Sequence, residues 1–199
     1  MTPKKPHHHG NLQEALIDAG LALLAESGQA GLTLRKTAAR AGVSHSAPAH
    51  HFDGLRGLLN AIAKRGFEML LDYLRNVEHQ NGNHDQPDPF KRLMVRVHAY
   101  LDFCDRNEPL FRLMFTEASY DDPELQKIAL NCYQVLRDSC RPFTEGRNAL
   151  EVEHAVWTMA HGFAVLGMNS PRPNAPAPNP PCEDMMRMLL LGPSNDTPD

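Results

Sequence analysis

The residues best suited to bind a macromolecule lie in the segment 33–52, TLRKTAARAGVSHSAPAHHF. Basic side chains at Arg35 and Lys36 precede a Gly-Val-Ser turn at 42–44, and short polar side chains follow the turn. Basic groups bind phosphate oxygens, whereas small polar side chains at the first turn of a helix contact base edges in the major groove. The spacing predicts two short helices joined by a tight turn, a helix-turn-helix suited to double-stranded DNA.

Four residues define this predicted motif locally. Thr33 caps a helix that reaches about residue 41, and Gly42 can adopt the left-handed conformation that the turn needs. Ser44 caps a third helix, which must be short or begin near residue 46 because Pro48 is tolerated only in a first turn. The outward-facing first turn of that helix then comprises His45, Ser46 and Ala47. The alternative interpretation is an ordinary helical hairpin within a core.

The elements around the motif are predicted to be helical, which makes the fold class all-α. Asn11, with Glu14 as its capping-box partner, begins the first helix, and Gly28 ends it. A long helix over 55–79 connects a three-helix head to an α-helical ligand-binding and dimerisation body. Further helices are predicted over 89–107, 109–116, 123–141, 151–169 and 183–191. The predicted organisation is a flexible basic arm (1–10), the head (11–54), the body (55–192, with a Pro-rich linker at 171–181) and a disordered tail (193–199).

Charge separates the two parts of the chain. Residues 1–65 contain eight Lys or Arg and four acidic residues, a balance of +4, so the remainder carries −8 within the total of −4. A basic N-terminal part on an acidic remainder suggests that only the first part meets phosphate. The four cysteines have no common zinc spacing, and the N-terminus lacks the apolar core of a signal peptide. With no apolar run of membrane-spanning length, the expected location is the cytoplasm.

The segment 33–52, followed by DGLRGLLNAI, resembles the TetR family of bacterial regulators. The opening HHHGNLQEALIDAGLALLAESG is similar to the first helix of a subgroup, and AVWTMAHGFAVL resembles the Trp–His–Gly stretch of that subgroup's C-terminal domain. The resemblance implies an all-α homodimer whose head binds operator DNA. It also implies a body that binds a small-molecule effector and thereby weakens DNA binding. No cofactor is predicted. Enzymatic activity is not expected, because no Ser–His–Asp or Cys–His grouping has supporting local context.

The resemblance also implies roles for individual residues. Thr33 would touch the DNA backbone, His51 would contact phosphate, and Ser44, His45, Ser46 and Ala47 would lie at or near base edges. Two positions depart from the family pattern, because Ala49 replaces a Tyr and Leu55 replaces a Lys, both of them phosphate contacts. Residues that could compensate, or that flank the motif, are Arg35, Lys36, His50, Arg56, Lys4 and Lys5.

A ligand pocket is predicted in the body, where Met and aromatic side chains concentrate. Its candidate residues are Met94, His98, Phe111, Met114, Phe115, Tyr133, Trp157 and His161. A plain core role for most of them is the alternative. His154 and His161 share a helix face and could form a metal ligand set with Cys104 or His98, against a core or interface role. No metal site is predicted, and His7–His9 is interpreted as a solvated arm near DNA.

Two functions remain open from the sequence. The first is a homodimeric repressor, in which helices 151–169 and 183–191 pair with their two-fold mates through a small apolar face. That face comprises Ala155, Met159, Gly162, Val165 and Leu166. The second is a helical ligand-binding or interaction protein with weak or lost operator binding, which the altered positions Ala49 and Leu55 motivate.

Overall fold

The computed structural model describes residues 9–80, 88–117, 121–167 and 179–192. Within these ranges the regular structure is helical, without strands. The α-helices are α1 (His9–Ser27), α2 (Leu34–Arg40), α3 (Gly54–Gln80), α4 (Pro89–Arg106), α5 (Glu108–Arg112), α6 (Pro123–Cys140), α7 (Ala149–Val165) and α8 (Cys182–Leu191). Among the described residues, no helix is long and apolar enough to cross a membrane.

Short polar side chains begin the later helices as the sequence predicts. The Asp88 carboxylate accepts a hydrogen bond from the Phe90 amide at 2.9 Å, and Asp122 accepts one from the Glu124 amide at 2.9 Å. In both cases a proline follows the aspartate as the first helical residue, where its missing N–H costs nothing. Asn148, a cap not predicted from the sequence, accepts a hydrogen bond from the Leu150 amide at 3.1 Å at the start of α7.

The chain divides into two compact units. Unit 1 comprises Met1–Glu68 and Asn107–Ala129, and unit 2 comprises Met69–Arg106 and Leu130–Asp199. The predicted boundary at residue 54 therefore differs from the structural one. The first turns of α3 and the segment around α5 pack with the N-terminal helices rather than with the body. Periodicity could not reveal this, because it shows which face of a helix is apolar but not which partner covers that face.

The core of unit 1 is built from α1, α2, α3 and α5. Leu16, Leu24, Leu58 and Ile62 are almost completely buried there. Helices α1 and α3 approach each other closely at Gly20, where an added Cβ would lie 2.6 Å from the Ile62 Cδ1 atom. The predicted start of α1 is wrong, because the helix begins at His9 and Asn11 lies inside it.

The core of unit 2 joins α4, α7 and α8. It is a single cluster of buried apolar side chains in which Val156 and Met186 are completely covered and Met94, Val97 and Phe163 nearly so. The helix predicted over 151–169 ends at Val165, and the helix predicted over 183–191 begins one residue earlier, at Cys182. Residues 1–8 of the predicted arm (1–10), most of the Pro-rich linker and the tail lie outside the described residues, whereas residues 9 and 10 begin α1.

Candidate nucleic-acid interface

The threonine at the start of α2 has the predicted capping role. Thr33 lies in the extended conformation, and its Oγ1 accepts a hydrogen bond from the Lys36 amide at 3.2 Å. One turn on, the buried Thr37 hydroxyl donates to the Thr33 carbonyl at 2.9 Å. These two bonds satisfy backbone groups that a helix end leaves without intrahelical partners. Helix α2 therefore starts at a fixed position, with Arg35 and Lys36 exposed in its first turn.

The turn after α2 depends on Gly42. Its φ of 69° lies in the left-handed region, and nothing lies within 4 Å of the position that a Cβ would occupy. The constraint on this residue is therefore conformational rather than steric. The Gly42 amide donates to the Ala39 carbonyl at 3.2 Å and the Val43 amide to the Ala38 carbonyl at 3.0 Å, which closes the end of the helix. The predicted turn is confirmed.

The third element of the motif is shorter than an α-helix. Residues Ala47–His50 form a 3₁₀ helix that includes Pro48, as the predicted short start near Ser46 allows. Ser44 contributes its carbonyl, which accepts from the Ala47 amide at 3.0 Å, whereas its hydroxyl lies 3.2 Å from the Ser46 hydroxyl. The predicted side-chain cap at Ser44 is therefore not formed.

Burial separates the residues of this 3₁₀ helix into two sets. Ala47 and Pro48 are buried, and Phe52, which follows, is 7% exposed. The prediction that Ala47 faces outward is wrong, because a four-residue 3₁₀ turn directs its methyl group to the core of unit 1. Ser44, His45, Ser46, Ala49 and His50 are exposed, and His51 is half-buried. The surface available to a partner is therefore polar and carries two exposed histidines.

A bidentate ion pair joins α2 to α1. The Arg40 Nη1 and Nη2 atoms lie 2.6 Å and 2.7 Å from the Glu26 Oε2 and Oε1 atoms. The hydrogen bond from Arg40 lowers the pKa of Glu26, and the same bond raises the pKa of Arg40. Arg40 thus holds α2 in place, a role that local spacing could not predict because its partner lies 14 residues away.

The start of α3 provides a further basic group. Arg56 donates from Nη2 to the Asp121 carboxylate at 3.1 Å, and both side chains are more than two-thirds exposed. An exposed pair of this kind is weak, so Arg56 can exchange Asp121 for a phosphate at small cost. Leu55 beside it is 39% exposed. Lys4 and Lys5 lie outside the described residues.

Two family models match the chain. One, described as bacterial regulatory proteins of the tetR family, matches residues 16–62, and the other, the tetracyclin repressor-like C-terminal domain, matches residues 93–189. Together they cover more than half of the 199 residues. The chain belongs to the TetR family. It is a DNA-binding transcriptional regulator, and residues 33–52 lie within the part that the N-terminal model matches.

Named relatives agree with this assignment. The chain is 29% identical to the HTH-type transcriptional regulator BetI of Burkholderia lata over 154 residues, 76% of this chain and 75% of BetI. It is 27% identical to the nucleoid occlusion factor SlmA of Aliivibrio fischeri over 158 residues, 73% and 74% of the two chains.

Solved structures share the fold at lower identity. A Rhodococcus sp. RHA1 protein of unknown function superposes with a TM-score of 0.75 at 23% identity, covering 95% of this chain and 98% of that one. The TetR-family regulator PfmR of Thermus thermophilus superposes with a TM-score of 0.60 at 19% identity, covering 90% and 99%.

The predicted ligand-pocket residues of this TetR-family regulator fall into two sets. Phe111, Met114 and Phe115 belong to unit 1, where Met114 is completely buried. The Phe115 ring centroid lies 5.0 Å from that of Phe111 and 5.4 Å from that of Phe67. These three residues pack within the first unit. That they also line a ligand pocket stays a prediction.

The other five residues belong to unit 2. Met94 is part of its buried core, and His98 is exposed. The remaining three are Tyr133, Trp157 and His161. Together with His154 they form an aromatic row on α6 and α7, in which neighbouring ring centroids are separated by 6.0–6.4 Å.

Polar contacts fix both ends of this aromatic row. The Tyr133 hydroxyl donates to Glu153 at 2.8 Å, and burial together with this bond raises the pKa of Tyr133 to about 12. His161 Nδ1 lies 2.9 Å from the Tyr100 hydroxyl, and burial lowers the pKa of His161. No group of three potential metal-ligating side chains occurs within the described ranges, so His154 and His161 do not form the alternative metal set there.

Proposed function

We propose that this TetR-family regulator is a homodimeric repressor that binds a near-palindromic operator and releases it when a small molecule binds its C-terminal part. One observation supports the DNA contact most directly. The side chains of Arg35, Lys36, Ser44, Ser46 and His50 are exposed on unit 1, while the intervening Ala47 and Pro48 are buried. Basic groups for phosphates thus flank short polar groups for base edges on one rigidly capped motif.

Exposed apolar side chains on α7 and α8 support the dimer. Val165 and Leu166 at the end of α7 are 50% and 60% exposed, and Met188 and Leu191 of α8 are 59% and 55% exposed. Large apolar groups that remain in water on two adjacent helices are typical of an association surface. Of the face predicted from sequence, Ala155, Met159 and Gly162 are half-buried. Two copies would present their motifs to successive major grooves, about 34 Å apart.

Regulation requires an effector that binds one conformation better than another. Operator affinity then falls only by the ratio of the effector's affinities for the two conformations. On ligand addition, DNA binding would therefore be lost because the populations of the two conformations change. The effector would not compete with DNA for the same surface.

Selection of random duplexes, followed by titration over a range of salt concentrations, tests DNA binding. Enrichment of a palindrome supports the repressor. Arg56→Ala should weaken binding and reduce the slope of log affinity against log salt by about one phosphate contact. Asp121→Asn is the matched control, since it releases Arg56 from this ion pair and should leave DNA binding equal or tighter.

Light scattering tests the dimer. A monomer at micromolar concentration would contradict it.

The alternative function is a helical ligand-binding or interaction protein with weak operator binding. The four-residue 3₁₀ turn and the exposed Ala49 and Leu55 favour it, because each removes groups that would otherwise reach DNA. A selection that enriches no sequence at low salt, from a protein that is folded and dimeric, would favour this alternative. Restoring basic or phenolic groups with Ala49→Tyr and Leu55→Lys should then produce measurable DNA affinity.

A further inference from the structure

We propose that unit 2 contains a binding site for a small carboxylate, held between α3, α4 and α6 by Arg75 and Arg96. As the identity of the effector, this inference rests on the proposed ligand-responsive function. As a binding site, it stands on the geometry of unit 2 alone.

The site is a cavity of about 240 Å³. Cavities for drug-sized ligands span about 300–1,000 Å³ and are mostly apolar, so this one fits a smaller and more polar molecule. Its lining consists of Arg75, Arg96, Asn131, Gln134, Val135 and Asp138, of which only the valine is apolar. A lining of amides and ions around so small a volume indicates a compact ligand with several hydrogen-bonding groups.

Arg96 is held in position by a buried serine. Its Nη1 atom donates to the Ser139 Oγ atom at 2.5 Å, and the Ser139 hydroxyl in turn donates to the Val135 carbonyl at 2.7 Å. Ser139 is 6% exposed, so this short chain of bonds is shielded from water. A guanidinium carries five N–H donors in a fixed planar arrangement. Fixing one edge against Ser139 orients the group before a ligand arrives, which reduces the entropy cost of binding.

The charges at the site favour a ligand with one negative charge. Two arginines and one aspartate line the cavity, so its formal charge is +1. The Asp138 Oδ1 atom accepts a hydrogen bond from the Gln134 Nε2 atom at 2.9 Å, which fixes the carboxylate. A carboxylate on the two arginines can form charge-assisted hydrogen bonds with both. A hydroxyl or ammonium group on the same ligand would complement Asp138, whereas a second negative charge would be repelled by it.

Calorimetric titration of the full-length protein with lactate, acetate and inorganic phosphate tests the site, with sodium chloride at equal ionic strength as the reference. We expect saturable binding in the order lactate, acetate, phosphate. Arg75→Gln should weaken lactate binding at least about tenfold, the loss expected for one charge-assisted contact. Arg75 is exposed, so this change does not disturb the core. Arg141→Gln, which removes the same charge from an exposed position of unit 2 outside the cavity, should leave binding unchanged.

Two further variants separate the site from general anion binding. Arg96→Lys keeps the positive charge but loses the planar guanidinium with its paired N–H donors, and should also weaken lactate binding about tenfold. Asp138→Asn should reduce the ratio of lactate affinity to phosphate affinity. Absence of saturable binding beyond chloride, or equal binding by wild type and Arg75→Gln, would overturn the site. A protein that binds lactate through these arginines but never binds DNA would instead contradict only the proposed repressor function.

Discussion

Arg40 of α2 and Glu26 of α1 form a bidentate ion pair, with N–O distances of 2.6 Å and 2.7 Å. The pair lowers the pKa of Glu26 from its usual value of 4.5. Its stabilising contribution is therefore complete above that value and is lost as the pH falls through the lowered pKa. We expect Glu26→Gln to lower the melting temperature slightly at pH 7, since both groups are screened by solvent, and not at all in strong acid. Glu145→Gln removes an exposed acid of unit 2 and is the matched control, and its melting temperature at pH 7 should equal that of the wild type.

The Thr33 cap gives a second prediction. Thr33→Ala removes the acceptor for the Lys36 amide, and loss of an N-cap costs about 1 kcal/mol of unfolding free energy. Thr33→Ser retains the hydroxyl and should be nearly neutral. Urea denaturation followed by circular dichroism measures both. Equal midpoints for the two variants would show that the cap does not stabilise α2.

Close packing of α1 on α3 gives a third prediction. Gly20→Ala places a methyl group 2.6 Å from the end of the buried Ile62 side chain, its Cδ1 atom, an overpacking that costs about 1 kcal/mol or more. The greater helix propensity of Ala offsets about 1 kcal/mol of that cost, so the net loss should be small. Ile62→Val removes that same atom and alone should cost about 0.5–1.5 kcal/mol. Because the second change relieves the clash of the first, the double variant should lose less than the sum. Strict additivity in a double-mutant cycle would contradict the contact.

The cysteines should resist alkylation in the folded protein. Burial raises the pKa of Cys104, Cys132 and Cys140 to about 12 and that of Cys182 to about 11. The thiolate is the reactive form, so less than about one part in a hundred of each thiol is reactive at pH 8. Mass spectrometry after iodoacetamide treatment should find the native protein largely unmodified and the urea-unfolded protein modified at all of its cysteines. Rapid labelling of the native protein would indicate that unit 2 opens.

Local interactions were predictable from sequence because their partners are near in the chain. The Thr33 cap, the Gly42 turn and the Asp88 and Asp122 caps each join residues at most five positions apart. Such features depend on backbone conformation and one short side chain, which the local residue types specify. The all-α class followed from the same local regularities.

Long-range features were not predictable in the same way. Arg56 meets Asp121 across 65 residues, and Met114 packs against Gly66, which is also distant in the chain. No spacing rule connects such positions, so the sequence could not show that 107–129 joins unit 1. Ala47 was misassigned for a related reason. An alanine side chain suits an exposed helical turn and a buried 3₁₀ turn equally well. Which of the two forms at residue 47 depends on packing against the rest of unit 1.

The alternation of covered and uncovered residues at 44–52 bears on how this regulator could acquire a new operator. Ala47, Pro48 and Phe52 hold the segment to unit 1, whereas Ser44, His45, Ser46, Ala49 and His50 are exposed. Under the proposed DNA-binding function, specificity and folding would be encoded by different residues of one short stretch. A combinatorial library restricted to the five exposed positions would then vary sequence preference while sparing the scaffold, both in the laboratory and during divergence after gene duplication.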